Sequence, residues 1–152
     1  MVFALVCAAI PGLAQFESME LRFEGMGCAS CVESMPARVK RMRGVEEASV
    51  DPVSSKLRIR LAESNRVRLE QVRDAIQQDG TKVRSAAVTA RGAVSRRDGK
   101  WMFQPVEGGA SFELRGAGEW AEGKRFRVTG EIADPAPGAV LHVNSSAAVS
   151  GS

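Results

Sequence analysis

Met19, Leu21 and Phe23 alternate with Glu20, Arg22 and Glu24, the two-residue period of a strand with one buried face. Beyond Cys31 the period changes. Val32, Met35, Val39 and Met42 recur at helical spacing, and Gly44 follows as a natural stop. Arg38, Lys40 and Arg41 fall near that end, where cations suit the helix dipole. Pro36 would sit inside a helix that began at Ser30, at a cost of up to about 3 kcal/mol. The pattern therefore predicts a helix that starts late, near Ser34 or Met35, after a long loop.

Val45 to Asp51 reads as a second strand, and Asp51-Pro52 opens a turn. Leu57, Ile59 and Leu61 then alternate with Lys56, Arg58 and Arg60, which completes a hairpin. Leu69, Val72 and Ile76 mark a second amphipathic helix ended by Asp79-Gly80, and Lys82 to Val88 supplies a fourth strand. The order is βαββαβ, the ferredoxin-like plan.

After Val88 the helical period disappears. Short β-rich runs take over: Thr89 to Ser95, Trp101 to Val106, Ser111 to Leu114, Phe126 to Ile132 and Leu141 to Val143. Asp98-Gly99 is a strong hairpin turn, and the Pro-rich run from Asp134 to Gly138 is a rigid loop. Five short strands without a helix predict a small all-β barrel, OB-like or SH3-like. Asn144 to Ser146 and the Ala/Ser/Gly tail read as frayed. The fold class expected is α+β, with a ferredoxin-like domain over residues 15–88 and an OB-like barrel over 89–152.

Composition limits the class without choosing it. The 152 residues are 44% apolar and 26% charged, as in soluble globular proteins. A net charge of +3 is too mild to argue for nucleic acid without a concentrated patch. Met1 to Ala14 is apolar, carries no charge and ends in Pro11-Gly12-Leu13-Ala14. It is too short to span a bilayer and reads as a signal peptide cut after Ala14. The expected location is periplasmic or secreted, with no membrane insertion after cleavage.

Three cysteines are present, and Cys7 lies in the segment expected to be removed. The remaining pair, Cys28 and Cys31, stands two residues apart on a loop containing Gly25 and Gly27, between the first strand and the first helix. A two-residue loop closes little chain entropy, so such a pair more often binds metal or cycles redox state than staples a fold. A helix N-terminus favours the thiolate, which is both nucleophile and soft-metal ligand. Two thiolates with no histidine nearby suit Cu(I) or Hg(II), whereas Zn(II) ordinarily takes four ligands. Gly27, Ala29 and Ser30 add no carboxylate. The alternatives are a plain disulfide and a thiol-disulfide redox module.

Gly25-Met26-Gly27-Cys28-Ala29-Ser30-Cys31, followed by Val32, Met35, Val39, Met42 and Gly44-Val45, resembles the heavy-metal-associated domain family, which includes copper chaperones and periplasmic mercury-binding proteins. The likeness covers about residues 17–88. It implies that Cys28 and Cys31 are the ligands, with Met26 tucked beneath the loop in the core. Two positions depart from the family pattern: Gly27 replaces a polar residue, and Thr81-Lys82 stands where many members carry an aromatic ring. The later segment is similar to small bacterial exported OB-like barrels with the pattern G-x-V, D-G-x-W, G-K-x-x-x-V-x-G, which implies a fold more than a function.

Other candidates read as structural. His142 has no second imidazole beside it in the sequence, so it is taken as a strand residue. Trp101 and Trp120 are taken as barrel core. Arg38, Lys40, Arg41 and Arg43 form a solvated helix face, or a docking surface for an acidic partner. No Ser-His-Asp set, phosphate loop or carboxylate pair suggests an enzyme. The function expected is a carrier for Cu(I), or Hg(II), in the cell envelope.

Overall fold

Strand β1, Gln15–Glu24, sends Phe16, Met19, Leu21 and Phe23 into the core and leaves Ser18, Arg22 and Glu24 exposed, as its alternation predicts. The computed structural model describes residues 14–25, 28–136 and 138–149. Met1 to Leu13, Met26, Gly27, Pro137 and the last three residues lie outside this description. With them lie most of the expected signal peptide, Cys7, and the placement of Met26.

Helix α1 spans Ala29–Lys40, strands β2 and β3 span Val45–Asp51 and Lys56–Leu61, helix α2 spans Leu69–Gln77, and β4 begins at Lys82. The strands pair in the order β2-β3-β1-β4, all antiparallel. Val32, Met35 and Val39 of α1 and Leu69, Val72 and Ile76 of α2 are buried in the same core as the inward residues of that sheet. This is the ferredoxin-like arrangement. The opposite face of the sheet is polar, with Glu20 between Lys56 and Arg58, and Arg60 beside Glu46 and Glu47.

The late start expected for α1 is not what the chain does. The helix begins at Ala29 and runs through Pro36. Proline lacks the N–H that would reach the Val32 carbonyl, but Val32, Met35 and Val39 are each at most 5% exposed. Burying three such side chains is worth several kcal/mol, enough to offset one missing hydrogen bond. Gly44 ends the turn beyond α1 at φ +101°, and a Cβ there would meet Asn65 Cβ at 2.8 Å. Asn65 itself is buried. Its Nδ2 donates to the Phe16 and Ala62 carbonyls at 2.8 and 2.7 Å, and its Oδ1 accepts from the Val67 amide at 3.0 Å.

The runs expected as two strands, Lys82 to Val88 and Thr89 to Ser95, are one strand, β4, Lys82–Arg97. Position 88/89, taken as a domain boundary, falls in its middle. One edge of β4 pairs with β1 from Lys82 to Arg91, and then with β5, Lys100–Gln104, from Ala93 to Arg97. Its other edge pairs with β7, Arg125–Ala133, from Ser85 to Ala93. The exchange of partners occurs at Gly92, where a Cβ would lie 2.4 Å from the Gln104 carbonyl oxygen. Only a residue without a side chain allows that approach.

Strands β6, Phe112–Gly116, and β8, Val140–Ala148, complete a closed ring of pairings, β4-β5-β6-β8-β7-β4. The β6–β8 pair is parallel and the others are antiparallel. The expected fraying of Asn144 to Ser146 does not occur, because Thr129 and Val128 of β7 face Ser145 and Ser146 in register. Polar side chains do not prevent pairing when a neighbouring strand completes the backbone hydrogen bonds.

The two parts share one continuous core. Phe103, Phe112, Val128, Ile132 and Leu141 of the ring join the cluster that contains the helix residues. Glu17 of β1 reaches across β4 as well, 2.9 Å from Arg91 Nε and 2.8 Å from Arg127 Nη2 of β7. On the helix side, Arg73 of α2 donates to the Pro135 carbonyl of the β7–β8 loop at 2.8 Å.

Candidate metal centre

Cys28 is the N-cap of α1. Its backbone is extended, at φ −161° and ψ 150°, and its Sγ accepts the Cys31 amide at 3.2 Å. The Cys28 carbonyl accepts from the same amide at 3.2 Å, and Ser30 Oγ lies 3.4 Å from Cys28 Sγ. A sulfur thus takes the capping role more often filled by a hydroxyl or carboxylate oxygen. Cys28, Ala29 and Ser30 are exposed and Cys31 is half-buried, so one sulfur faces solvent at the helix mouth.

The two cysteines are joined as a disulfide, with their Cα atoms 5.3 Å apart. The structure therefore brings both residues together, in oxidised form. Reduction yields two thiols at the positive end of a helix dipole, an environment that favours thiolate. The first turn of α1 contains no acidic residue. Among the described residues no group of three or more His, Cys, Asp or Glu side chains could hold a metal ion. The chemistry on offer is two-sulfur ligation, or two-electron exchange between dithiol and disulfide.

Two loops flank the cysteine segment. In the β2–β3 turn, Asp51 Oδ1 accepts from the Val53 amide at 3.0 Å, and Ser54 Oγ donates to Asp51 Oδ2 at 2.7 Å. The Ser54 hydroxyl, followed by the Val53 and Ser54 amides, holds the Asp51 carboxyl below the usual carboxylate range. The Phe23 amide donates to the Ser55 carbonyl, which fixes this turn beside the end of β1.

The second loop joins α2 to β4. A Cβ on Gly25 would lie 3.9 Å from the Gly80 carbonyl oxygen, so this loop adjoins the cysteine segment. Thr81, only 2% exposed, donates from Oγ1 to Asp79 Oδ1 at 2.6 Å. Arg38 of α1 donates to Asp79 Oδ2 at 3.0 Å and to the Ala75 carbonyl at 2.8 Å. The Thr81 hydroxyl, then Arg38, lowers the Asp79 pKa against the opposing effect of burial. Where the resembled family often has an aromatic ring, this chain has an inward-turned hydroxyl that locks the loop to α1.

Arg38 therefore does not belong to a solvated face, because its guanidinium is spent between two helices. Lys40, Arg41 and Arg43 are exposed. His142 is exposed on β8 opposite Glu131, away from the cysteines in the sheet order. Trp101 is half-buried beneath the Arg96 guanidinium, 5.3 Å from its ring centroid, and Trp120 meets Phe126 edge-on at 5.1 Å. Asp79 escaped the sequence reading, which took it only as a helix stop. The signal for it was the Asp79-x-Thr81 spacing of a side-chain turn.

Residues 20–82 match the family model described as the heavy-metal-associated domain, so this part of the chain is a heavy-metal-associated domain. Similar solved structures include a CopZ metallochaperone, 26% identical over 43% of this chain and 97% of its own, with a TM-score of 0.39. A copper binding domain from HMA7, a P-type ATPase, is 25% identical over 47% of this chain and 92% of its own, at 0.39. The yeast copper transporter domain CCC2A is 18% identical over 44% and 90%, at 0.39. No curated protein matches the chain.

Proposed function

We propose that the reduced chain binds a soft metal ion, Cu(I) before Hg(II), between Cys28 and Cys31 and passes it to a partner by thiolate exchange. The observation that carries this reading is the placement of both sulfurs together at the exposed N-terminus of α1. The heavy-metal-associated domain around them and the copper proteins that it resembles favour the same cargo. In this reading each thiol releases its proton on binding the ion, and an incoming thiolate replaces one sulfur at a time. Zn(II) is the weaker candidate, since the cysteine pair supplies two of its usual four ligands.

The chain is in our reading an exported carrier rather than an enzyme, and the apolar run from Met1 to Ala14 supports export. The strand order of the ring and its parallel β6–β8 pair support an OB-like barrel. An acidic partner domain would suit the exposed Lys40, Arg41 and Arg43.

The disulfide supports a second reading, a thiol-disulfide module. Opening it takes two electrons and two protons, which an external dithiol supplies as it becomes a disulfide itself. Anaerobic titration of the reduced protein with Cu(I), Hg(II) and Zn(II), beside a Cys28→Ser, Cys31→Ser double variant, separates the two. One tightly held Cu(I) per chain, absent from the variant, supports the carrier. Equal uptake by the variant removes the site, and no tight complex alongside a defined redox potential favours the second reading.

A further inference from the structure

Two parts of the chain meet around the cysteine segment, the first turns of α1 and the α2–β4 loop, and one set of hydrogen bonds joins them. Ser34 Oγ donates to the Cys31 carbonyl at 3.0 Å. One turn further along α1, Arg38 Nη2 stands 3.5 Å from the same Ser34 oxygen and donates to Asp79 Oδ2 at 3.0 Å. Asp79 Oδ1 accepts from both the amide and the hydroxyl of Thr81, at 3.0 and 2.6 Å. Between Asp79 and Thr81 lies Gly80, at φ +89°, whose carbonyl oxygen is 3.9 Å from the Cβ position of Gly25. The set therefore begins at the backbone of one cysteine and ends against the residue that opens the cysteine segment.

These groups are screened from solvent. The Arg38 and Asp79 side chains are 19% and 17% exposed, and Thr81 is 2% exposed. Arg38 Nη1 is also held by the Ala75 carbonyl of α2 at 2.8 Å, so the guanidinium has little freedom to leave its carboxylate. Such a pair keeps its geometry better than one between two exposed side chains. The segment that it borders, Gly25 to Cys31, contains two glycines, and ordering it costs conformational entropy. An ion or a disulfide that draws the two sulfurs together meets that cost, less whatever the neighbouring structure has already fixed.

We infer that Asp79 is a positioning residue of the two-sulfur site. Through Arg38 and Thr81 it fixes the α2–β4 loop and the first turns of α1 around the cysteine segment, and so keeps both sulfurs together when nothing joins them. The inference rests on the Cys28–Cys31 site proposed above and deepens it. Loss of the carboxylate weakens Cu(I) binding and disulfide formation alike, because both are measured against the open dithiol. A merely structural role would lower the stability of the fold and leave these two equilibria of the folded protein where they are.

The test compares the full chain with Asp79→Asn at a temperature where both are folded. Competition for Cu(I) with bicinchoninate, without oxygen, gives the affinity. A dithiothreitol buffer, whose dithiol supplies two electrons and two protons and closes to a cyclic disulfide, gives the potential of the Cys28–Cys31 couple. Asp79→Asn should bind Cu(I) about tenfold more weakly. Its disulfide should be about tenfold easier to reduce, a shift of about +30 mV for two electrons. Thr81→Val should act in the same direction and Thr81→Ser, which keeps the hydroxyl, should recover most of the loss; this pair carries the test if Asp79→Asn does not fold. Gly99→Ala, which strains the β4–β5 turn outside the ferredoxin-like part, should move neither quantity. An unmoved affinity or potential in the folded variants, or an equal shift in Gly99→Ala, overturns the inference. Failure of the unsubstituted chain to hold Cu(I) overturns the carrier reading instead, and the potential then decides the role of Asp79.

Discussion

The Cys31 amide donates to Cys28 Sγ across 3.2 Å, so one side chain both caps α1 and holds half of the two-sulfur site. Capping and ligation can therefore be separated by substitution. Under reducing conditions Cys28→Ser should retain most of the stability, because a serine hydroxyl accepts from the same Cys31 amide, while Cys28→Ala should cost about 1 kcal/mol. Urea unfolding of both variants reads the difference. Both should lose tight Cu(I) binding equally.

The Arg38-Asp79-Thr81 group ties the loop beside the cysteines to α1. The Asp79 pKa is lowered in the folded state, so its contribution is complete above the unfolded carboxylate pKa and drains as pH falls below about 4. Asp79→Asn should cost about 1 to 2 kcal/mol at neutral pH and flatten the acid limb of the stability curve. Thermal unfolding from neutral pH to about pH 3 checks the sign.

Pro36→Ala restores an amide that can reach the Val32 carbonyl inside α1. The substitution should stabilise the fold by about 1 kcal/mol, less than the full helix-interior penalty because the freed unfolded chain gains entropy. Denaturant midpoints measure it. Destabilisation would mean that the half-buried ring contributes more through packing than its missing N–H takes away.

Gly92→Ala places a methyl group against the Gln104 carbonyl and the Phe103 ring. Since this is where β4 leaves β1 and takes up β5, the expected loss is about 2 kcal/mol or more. Tryptophan fluorescence, through Trp101 on β5, should report the ring opening. A Gly99→Ala control, with nothing within 4 Å of its Cβ but a φ of +77°, should cost about 1 kcal/mol for its backbone alone.

Much of the first half could be read from residue spacing. Leu57, Ile59 and Leu61 face the core, Val72 and Ile76 lie on the buried side of α2, and the cysteine pair stands at the start of the helix to which the loop leads. Pro36 misled because a local penalty was visible while the burial of Val32, Met35 and Val39 that outweighs it was not. Asn144 to Ser146 misled for the mirror reason. Their polarity suggests a tail, whereas β7 supplies the backbone partners that make them a strand.

By itself the sequence determined the period of the strands and helices of the first half, the two-residue interval between Cys28 and Cys31, and the glycines at which the chain turns. These follow from local geometry. Only the tertiary structure decided that β4 serves both halves and that Arg38 is spent on Asp79. Strand edges and charged side chains choose partners across long separations, by which surfaces the folded core brings within reach, and no local pattern records that choice.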